Sequence, residues 1–238
     1  MIECSICLAT KDKAIYLDRT LESIRRQIVP FEYEIVVVDD GSTDNTKEIC
    51  DKWRVDKYVF LENPIYRNPS VARNTAYRLA VGKSIICQSD DTLHESRDAV
   101  EILCNRLHQN EFVIATVYNW NIAKQERKML YTGVKWIRPL FFLGSLWRKD
   151  LYAVGGNDEE FMAPGYEDNW FGDCLIKGLK LRATFRSEVI GYHQDHLRPA
   201  NLAELVRPSR VLYEKKVRLA QEGKIPWQAS GGPWQYEE

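Results

Sequence analysis

Residues 33–49, YEIVVVDDGSTDNTKEI, join an apolar run to two aspartates and a polar turn. The first part is short, rich in β-branched residues and apolar on both faces, as buried strands of parallel sheets are. The second part begins with Ser, Thr and Asp, which cap helices, and continues with a helical pattern. The segment predicts a buried strand that ends at Asp39 and Asp40 and leads into a helix.

The same alternation continues on both sides of this segment. Further short strands are predicted in CSICLATK (4–11), KYVFLE (57–62) and KSIICQSDD (83–91). Helical spacing separates them, at 14–27, 70–82 and 94–110. This order predicts an α/β fold with a Rossmann-like, mainly parallel central sheet and helices on both faces.

The second half of the chain is less regular. We predict a strand at 112–120, a polar hairpin or loop at 121–130, a helix at 167–179, one or two strands at 181–193 and a helix at 202–222. The tail, 225–238, is rich in Pro and Gly and is expected to be either mobile or laid over a site. Gly144 and Ser145 precede a helix-like segment and are candidates to present backbone amides to a ligand.

Composition bounds the class of protein. Of the 238 residues, 45% are hydrophobic and 28% charged, which is typical of globular proteins. No apolar run reaches the roughly 18 residues of a membrane span, and no signal peptide is visible, so we expect a cytoplasmic protein. Six scattered cysteines fit reduced thiols. The net charge of −1 hides a mildly basic segment, 197–224, with seven Lys/Arg and three Glu.

Two predicted strands end in paired acids, Asp39–Asp40 and Asp90–Asp91. Ligands of open parallel sheets bind beyond the carboxyl ends of the strands, so these pairs are expected at one edge. Four carboxylates repel each other unless positive charge neutralises them. A divalent cation with a phosphate-bearing substrate would do so.

Four motifs in this order resemble those of family 2 glycosyltransferases, which have the GT-A fold. They are VVVDDGSTDNT (36–46), SVARNTAYRLAVGKSIICQSDD (70–91), GGNDEEFMAPGYEDNWFGDCLIKGL (155–179) and GYHQDH (191–196). The resemblance covers roughly residues 3–196. Its later part is most similar to inverting galactosyl-, GalNAc- and chondroitin-polymerase-type transferases.

The resemblance implies a domain organisation and a set of ligands. A catalytic domain, 1–196, would have a nucleotide-binding half (1–92) and an acceptor-binding half (93–196), followed by a C-terminal helix and tail (197–238). The donor would be a nucleotide sugar, UDP-linked, used with Mn²⁺ or Mg²⁺. The acceptor hydroxyl would belong to a glycan, a lipid-linked glycan, a protein or a hydroxylated base of modified DNA.

The resemblance also implies roles for single residues. The nucleotide would be bound by Ala9, Thr10, Asp39, Asp40, Arg73, Ser89 and Asp90, with Arg73 near the base or diphosphate. The metal would be held by Asp90, with Asp91 beside it, and by His193 or His196. Asp168 would be the general base and Glu167 would hold the acceptor or the local structure. Trp147 and Trp170 are candidate sugar platforms, whereas the other tryptophans, Trp136 among them, are expected in the core.

The chemistry is coherent on physical grounds, because a diphosphate leaving group needs a Lewis acid and a weakly acidic hydroxyl needs a base. The chain departs from the family pattern at Gln88, where the first acid of the DxD motif is missing, and at Leu8, Thr10 and Lys11. Metal use is therefore less firmly predicted than the fold.

Three other readings stay open at this stage. A nucleotidylyltransferase would also use acids and Mg²⁺, but it usually has a glycine-rich loop after the first strand, and residues 8–18 contain no glycine. A nucleotide-binding module does not account for GYEDNW (165–170) or GYHQDH. An inactive sugar-nucleotide-binding relative is supported by Gln88. The sequence does not predict the donor sugar or the oligomeric state.

Overall fold

The computed structural model describes residues 2–65, 67–132, 138–197 and 199–236, so Trp136 and the last two residues of the tail lie outside the described residues. The strands are β1 (Cys4–Thr10), β2 (Tyr33–Asp39), β3 (Lys57–Phe60), β4 (Ser84–Ser89), β5 (Thr92–His94), β6 (Glu111–Asn121), β7 (Glu126–Tyr131), β8 (Leu143–Trp147) and β9 (Arg182–Gln194). The helices are α1 (Ala14–Arg25), α2 (Thr46–Lys52), α3 (Ser70–Leu79), α4 (Ala99–Asn105), α5 (Arg148–Val154), α6 (Glu167–Asp173, continued by a π-helical turn at Cys174–Gly178) and α7 (Leu202–Gln221).

The first four strands form the predicted parallel sheet, in the order β3-β2-β1-β4. In this sheet Thr10 pairs with Asp39 and Ala9 pairs with Ser89. The carboxyl ends of β1, β2 and β4 therefore lie side by side. This confirms that the two acid pairs, which follow β2 and β4, reach the same edge.

Beyond β4 the sheet is mixed, in the order β4-β8-β6-β9-β5, with β7 paired to β6. Strands β8 and β5 are antiparallel to their neighbours, whereas β6 and β9 are parallel. The polar segment 121–130 is the hairpin between β6 and β7. The α/β class is confirmed, and the parallel part lies largely within residues 1–92.

Both faces of the sheet are covered, which explains why β1 and β2 are apolar throughout. On one face Ile6 and Leu8 pack in a cluster with residues of α1 and α4. On the other face Cys7 and Val36 pack with residues of α3, α5 and α6. Since successive side chains of a strand point to opposite faces, a strand between two helical layers must be apolar at every position.

Two sequence expectations are wrong. Gly144 and Ser145 lie within β8, paired with β4 on one side and β6 on the other, so this backbone belongs to the sheet. Trp170 is 1% exposed, stacks on Trp227 and donates its indole N–H to the Gln228 carbonyl, so it is a core residue rather than a sugar platform. Both errors come from short apolar runs whose burial depends on distant partners.

The C-terminal helix is confirmed as α7, and the tail packs against the domain as far as it is described. The Ala229 N–H donates to the Val154 carbonyl at 2.8 Å, and the Trp234 N–H donates to the Tyr152 carbonyl at 2.9 Å. The tail thus covers the end of α5 and, through Trp227, the side of α6. Among the described residues, no helix combines the length and apolar character needed to cross a bilayer.

Replacing Lys216 with methionine is expected to lower the free energy of unfolding by about 3 kcal/mol, because it removes the cation of a buried pair. The ammonium lies 2.9 Å from the Asp158 carboxylate, and the side chains are 9% and 0% exposed. Urea denaturation measures the change. The exposed neighbour Lys215→Met is the control, with a change within about 0.5 kcal/mol. Equal effects of the two variants would contradict the assignment.

Candidate active site

The edge at the ends of β1, β2 and β4 is a site built from several loops. Asp39 is engaged within the protein: the Ser42 N–H donates to Oδ1 at 2.7 Å and the Tyr58 hydroxyl donates to Oδ2 at 2.8 Å. Its side chain is 1% exposed. Asp39 therefore shapes the turn after β2.

The Asp40 carboxylate is bound by an arginine and an asparagine that the sequence analysis did not identify. Arg67 donates to its carboxylate from Nε at 3.1 Å and from Nη2 at 2.5 Å, and Asn63 donates to Oδ2 at 2.8 Å. Both partners come from the irregular segment between β3 and α3, where no periodicity indicates which side chains point inward. The pairing neutralises one acid of the edge without a metal.

Lys11 connects the segments at the bottom of this pocket. Its ammonium donates to the carbonyls of Asp40, Gly41 and Asn63 at 2.7, 3.1 and 2.7 Å. Gly41 has φ +86°, and a Cβ there would lie 2.3 Å from the Asn63 carbonyl oxygen, so only glycine fits. Lys11, where the chain departs from the family pattern, therefore links three segments of the chain.

The loop after β1 is also braced against the turn after β2. The Thr43 N–H donates to Asp12 Oδ1 at 2.7 Å, and this hydrogen bond holds the pKa of Asp12 below its usual value. Asp44 accepts from the Ala14 N–H at 2.9 Å, which caps α1 from a neighbouring loop. The two loops thus form one rigid rim of the pocket.

Asp91, His193 and His196 form a cluster in which one ligand atom of each lies within 4.8 Å of the others. His193 Nε2 is 3.5 Å from Asp91 Oδ1, and His196 Nε2 is 3.3 Å from Oδ2. Asp91 is 2% exposed, and its Oδ1 has no hydrogen-bond partner among the described residues. An orphaned buried carboxylate oxygen beside two imidazoles fits a divalent metal.

The other ring nitrogens orient both imidazoles for this role. His193 Nδ1 lies 3.0 Å from the Asn119 side-chain oxygen, and His196 Nδ1 lies 3.1 Å from the Leu197 carbonyl. Each acceptor keeps the proton on Nδ1 and turns Nε2 toward Asp91, as partners of metal-binding histidines do. The hydrogen bond to Asp91 raises the pKa of His196. Burial opposes ionisation of Asp91, but His196 and Lys13 outweigh it and lower its pKa.

Asp90 points to Lys13 rather than to the histidines. The Lys13 ammonium lies 3.2 Å from Asp90 Oδ1 and 2.6 Å from Asp91 Oδ2, between the two acids. Burial raises the pKa of Asp90, whereas the carboxylates outweigh the effect of burial on Lys13 and raise its pKa. Lys13 and Arg67 thus supply part of the positive charge that the sequence analysis attributed to a metal alone. Neither position was marked by a motif.

Gln88, at the position of the missing acid, has a structural role. Its amide N–H donates to the Thr92 carbonyl at 2.7 Å, and its oxygen lies 2.8 Å from His94 Nε2. The side chain is 4% exposed and bridges β4 to β5. The loss of the acid at this position leaves the cluster around Asp91 complete.

Glu167 and Asp168 begin α6, and Arg73 of α3 reaches both. Arg73 Nη1 lies 2.9 Å from Asp168 Oδ1 and 3.5 Å from Glu167 Oε1. Arg73 is thus placed on the predicted acceptor side and not on Asp40. Burial and the neighbouring Asp168 raise the pKa of Glu167, and its Oε2 has no hydrogen-bond partner within the described ranges. The start of α6 therefore holds two carboxyl groups against one guanidinium group.

The chain belongs to glycosyl transferase family 2, whose pattern matches residues 5–158. It is 46% identical over 81 residues to a validoxylamine A glucosyltransferase of Streptomyces hygroscopicus subsp. jinggangensis (strain 5008), a match that covers 32% of this chain and 19% of that protein. The matched part is about a fifth of the relative's length.

Solved structures show the same fold. The S. aureus TarS fragment 1–349 in complex with UDP-GlcNAc superposes with a TM-score of 0.66 at 20% identity, covering 88% of this chain and 66% of that one. A Pyrobaculum calidifontis mannosyltransferase in complex with GDP-Man and Mn²⁺ gives a TM-score of 0.63 at 20% identity, covering 91% and 64%. These likenesses confirm the GT-A fold.

Proposed function

We propose that the chain transfers a sugar from a UDP-sugar to an acceptor hydroxyl with inversion at the anomeric carbon and with a divalent metal. The observation that supports this most directly is the cluster of Asp91, His193 and His196 at the same sheet edge as Asp40. Membership of the family supports this proposal over a nucleotidylyltransferase or a binding module.

In this proposal the nucleotide-binding half, 1–92, reads the base through Asp40. A uracil N–H would donate to the carboxylate that Arg67 now engages, so Arg67 would share Asp40 or turn toward the diphosphate. Thr10, Ala9 and Ser89 lie at the adjoining strand ends and would line the same pocket. A uracil N–H forms a charge-assisted hydrogen bond with the Asp40 carboxylate, which a base without an N–H at this position does not form.

Asp91, His193 and His196 would hold the metal, which when bound acts as a Lewis acid on the diphosphate leaving group. Two imidazole nitrogens beside one carboxylate favour Mn²⁺ over Mg²⁺, because Mg²⁺ prefers oxygen ligands. Asp90 lies outside this cluster, with Lys13, and would act on the ribose or the diphosphate. With a metal bound to Asp91, the Lys13 ammonium would be available to neutralise a phosphate oxygen.

Asp168 would take the proton of the acceptor hydroxyl, in the acceptor-binding half, 93–196. Arg73 engages Oδ1, which leaves the other oxygen to accept the proton. The adjacent Glu167, whose Oε1 lies 3.5 Å from Arg73 Nη1, would hydrogen-bond the acceptor and hold it in place.

The acceptor is proposed to be a glycan or a lipid-linked glycan. The alternative of hydroxylated DNA rested on the basic segment 197–224. Within this segment Lys216 is buried against Asp158, and Arg210 pairs with Glu214 at 3.1 Å. Fewer cations are thus available for phosphate contacts than the sequence suggests. We place the protein in the cytoplasm, because all six cysteines are unpaired.

Calorimetric titration with UDP, GDP, CDP and TDP, with and without Mn²⁺, tests the donor proposal. We expect UDP to bind about tenfold or more tightly than CDP, because cytosine has no N3–H to donate to Asp40 and loses one hydrogen bond to a charged group. Mn²⁺ is expected to strengthen UDP binding. Preference for GDP would overturn the UDP assignment alone, and failure of every nucleotide to bind would overturn the proposed transfer from a nucleotide sugar.

A further inference from the structure

A groove on the other face of the sheet is not used by the proposed reaction. It has a volume of about 530 Å³ and lies between α1 and the ladder formed by β5, β9 and β6. We call it the arginine groove, after the residues that line it: Arg19, Arg26, Arg97 and Arg127, with Trp120 and Tyr192.

Strand register separates the arginine groove from the metal cluster. Tyr192 precedes His193 on β9, and Trp120 follows Asn119 on β6, with Asn119 paired to His193. Because neighbouring side chains of a strand point to opposite faces, Tyr192 and Trp120 lie on the face away from His193. The two sites nevertheless adjoin. Arg19 donates to the side-chain oxygen of Gln194, and the backbone N–H of Gln194 donates to the backbone carbonyl of Asp91.

The charge of the groove is positive. Four arginines line it against two glutamates, and each glutamate already has a cation: Glu22 pairs with Arg26 at 2.5 Å and Glu95 with Arg127 at 3.9 Å. Arg19 and Arg97 pair with no carboxylate in the part of the chain that the structure describes. The Arg97 guanidinium and the Arg19 N–H groups not bonded to Gln194 are thus available to an anion, which a guanidinium can bind with two parallel hydrogen bonds.

Three buried polar atoms in the lining have no hydrogen-bond partner among the described residues: His94 Nδ1, Ser96 Oγ and Trp120 Nε1. Burial lowers the pKa of His94 to about 4, so its ring is neutral at pH 7. Since His94 Nε2 faces the Gln88 oxygen, it has the proton and Nδ1 is an acceptor. An acceptor, a hydroxyl and an indole donor together complement sugar hydroxyl groups, which both donate and accept.

Aromatic rings complete the lining. The Trp120 and Tyr192 centroids are 5.5 Å apart, and the Arg127 guanidinium lies over both rings. Ring faces pack against the C–H faces of sugars, and the arginines select for negative charge. A neutral apolar ligand would leave both the guanidinium groups and the three polar atoms without partners.

We propose that the arginine groove is a second carbohydrate site, which binds an anionic saccharide, a sugar with a phosphate or carboxylate group. This inference rests on the proposed function: the saccharide is a remote part of the acceptor. It binds on the face of β6 and β9 opposite to the metal cluster. The groove would anchor the acceptor without touching the reacting atoms.

Calorimetry with UDP and Mn²⁺ at saturation tests this, because the donor site is then filled. The probes are a mannose 6-phosphate oligosaccharide, a glucuronate-containing tetrasaccharide and neutral maltotetraose, which separate phosphate from carboxylate and charge from sugar. We expect at least one anionic probe to bind about tenfold or more tightly than maltotetraose, and its affinity to fall with added salt.

The variant Arg19→Ala/Arg97→Ala is expected to lose about tenfold or more of this affinity, and Trp120→Phe a smaller part. Arg106→Ala, an exposed arginine at the end of α4, is the matched control. All variants should bind UDP normally, which distinguishes failure of this proposal from failure of the donor assignment. Equal binding of charged and neutral probes, binding unchanged in the double variant, or preference for a DNA oligonucleotide would overturn the proposal.

Discussion

Asp168→Asn is expected to lower the rate of sugar transfer by about 10²–10⁴-fold, the usual contribution of a positioned base. The amide keeps the shape of the side chain and can still contact Arg73, but it cannot accept a proton from the acceptor hydroxyl. UDP affinity should be unchanged, because Asp168 lies on the acceptor side. Initial rates of UDP release with acceptor present, together with UDP calorimetry, measure both properties.

Asp51→Asn is a suitable control, because this exposed carboxylate of α2 pairs only with Lys47 in the described contacts. Its transfer rate should match that of the unchanged protein. Glu167→Gln should retain more activity than Asp168→Asn, since the amide of the Glu167 variant can still hydrogen-bond the acceptor, whereas the Asp168 variant has no base. A Glu167 variant slower than the Asp168 variant would reverse the roles assigned to the two residues.

Asp91→Asn is expected to weaken Mn²⁺ binding by about 100-fold or more, beyond the 10–100-fold typical of residues that only support a metal ligand. The substitution removes the charged ligand and leaves His193 and His196 with no anion between them. Electron paramagnetic resonance of free Mn²⁺ in the presence of UDP measures the affinity without relying on activity. Retained affinity in this variant would exclude the cluster as the metal site.

Lys13→Met provides the opposite perturbation of the same cluster. Its ammonium lies between Asp90 and Asp91, so it competes electrostatically with a divalent ion for the same carboxylates. The variant should bind Mn²⁺ more tightly without nucleotide, in contrast to Asp91→Asn. Asp90→Asn should affect the metal less than Asp91→Asn does, because Asp90 contacts the lysine and not the histidines.

Local pattern predicted much of the fold. Strands β1, β2 and β4 were found because a strand covered on both faces is a continuous apolar run, and α7 because its spacing is helical over many turns. The site was predicted in outline, since acids that follow parallel strands must meet at one edge. Strand β8 was missed because an apolar segment of five residues has no period of its own.

The contacts within the site could not be predicted in the same way. Arg67, Lys11 and Lys13 lie in loops, where no periodicity fixes the direction of a side chain. Their partners are 27, 29 and 77 or 78 residues away in the chain. Arg73 contacts Asp168, which lies 95 residues away in the chain, and neither segment has a pattern that indicates this contact.

The sequence by itself determined that the chain has an α/β fold and belongs to this family, with acids at two strand ends and a basic C-terminal helix. Only the tertiary structure decided that Asp91 faces the two histidines while Asp90 faces Lys13, and that Trp170 is core. Neighbouring residues at a strand end point in different directions. Which of them meets a given ligand therefore depends on the strands and loops packed around it, and not on its position in a motif.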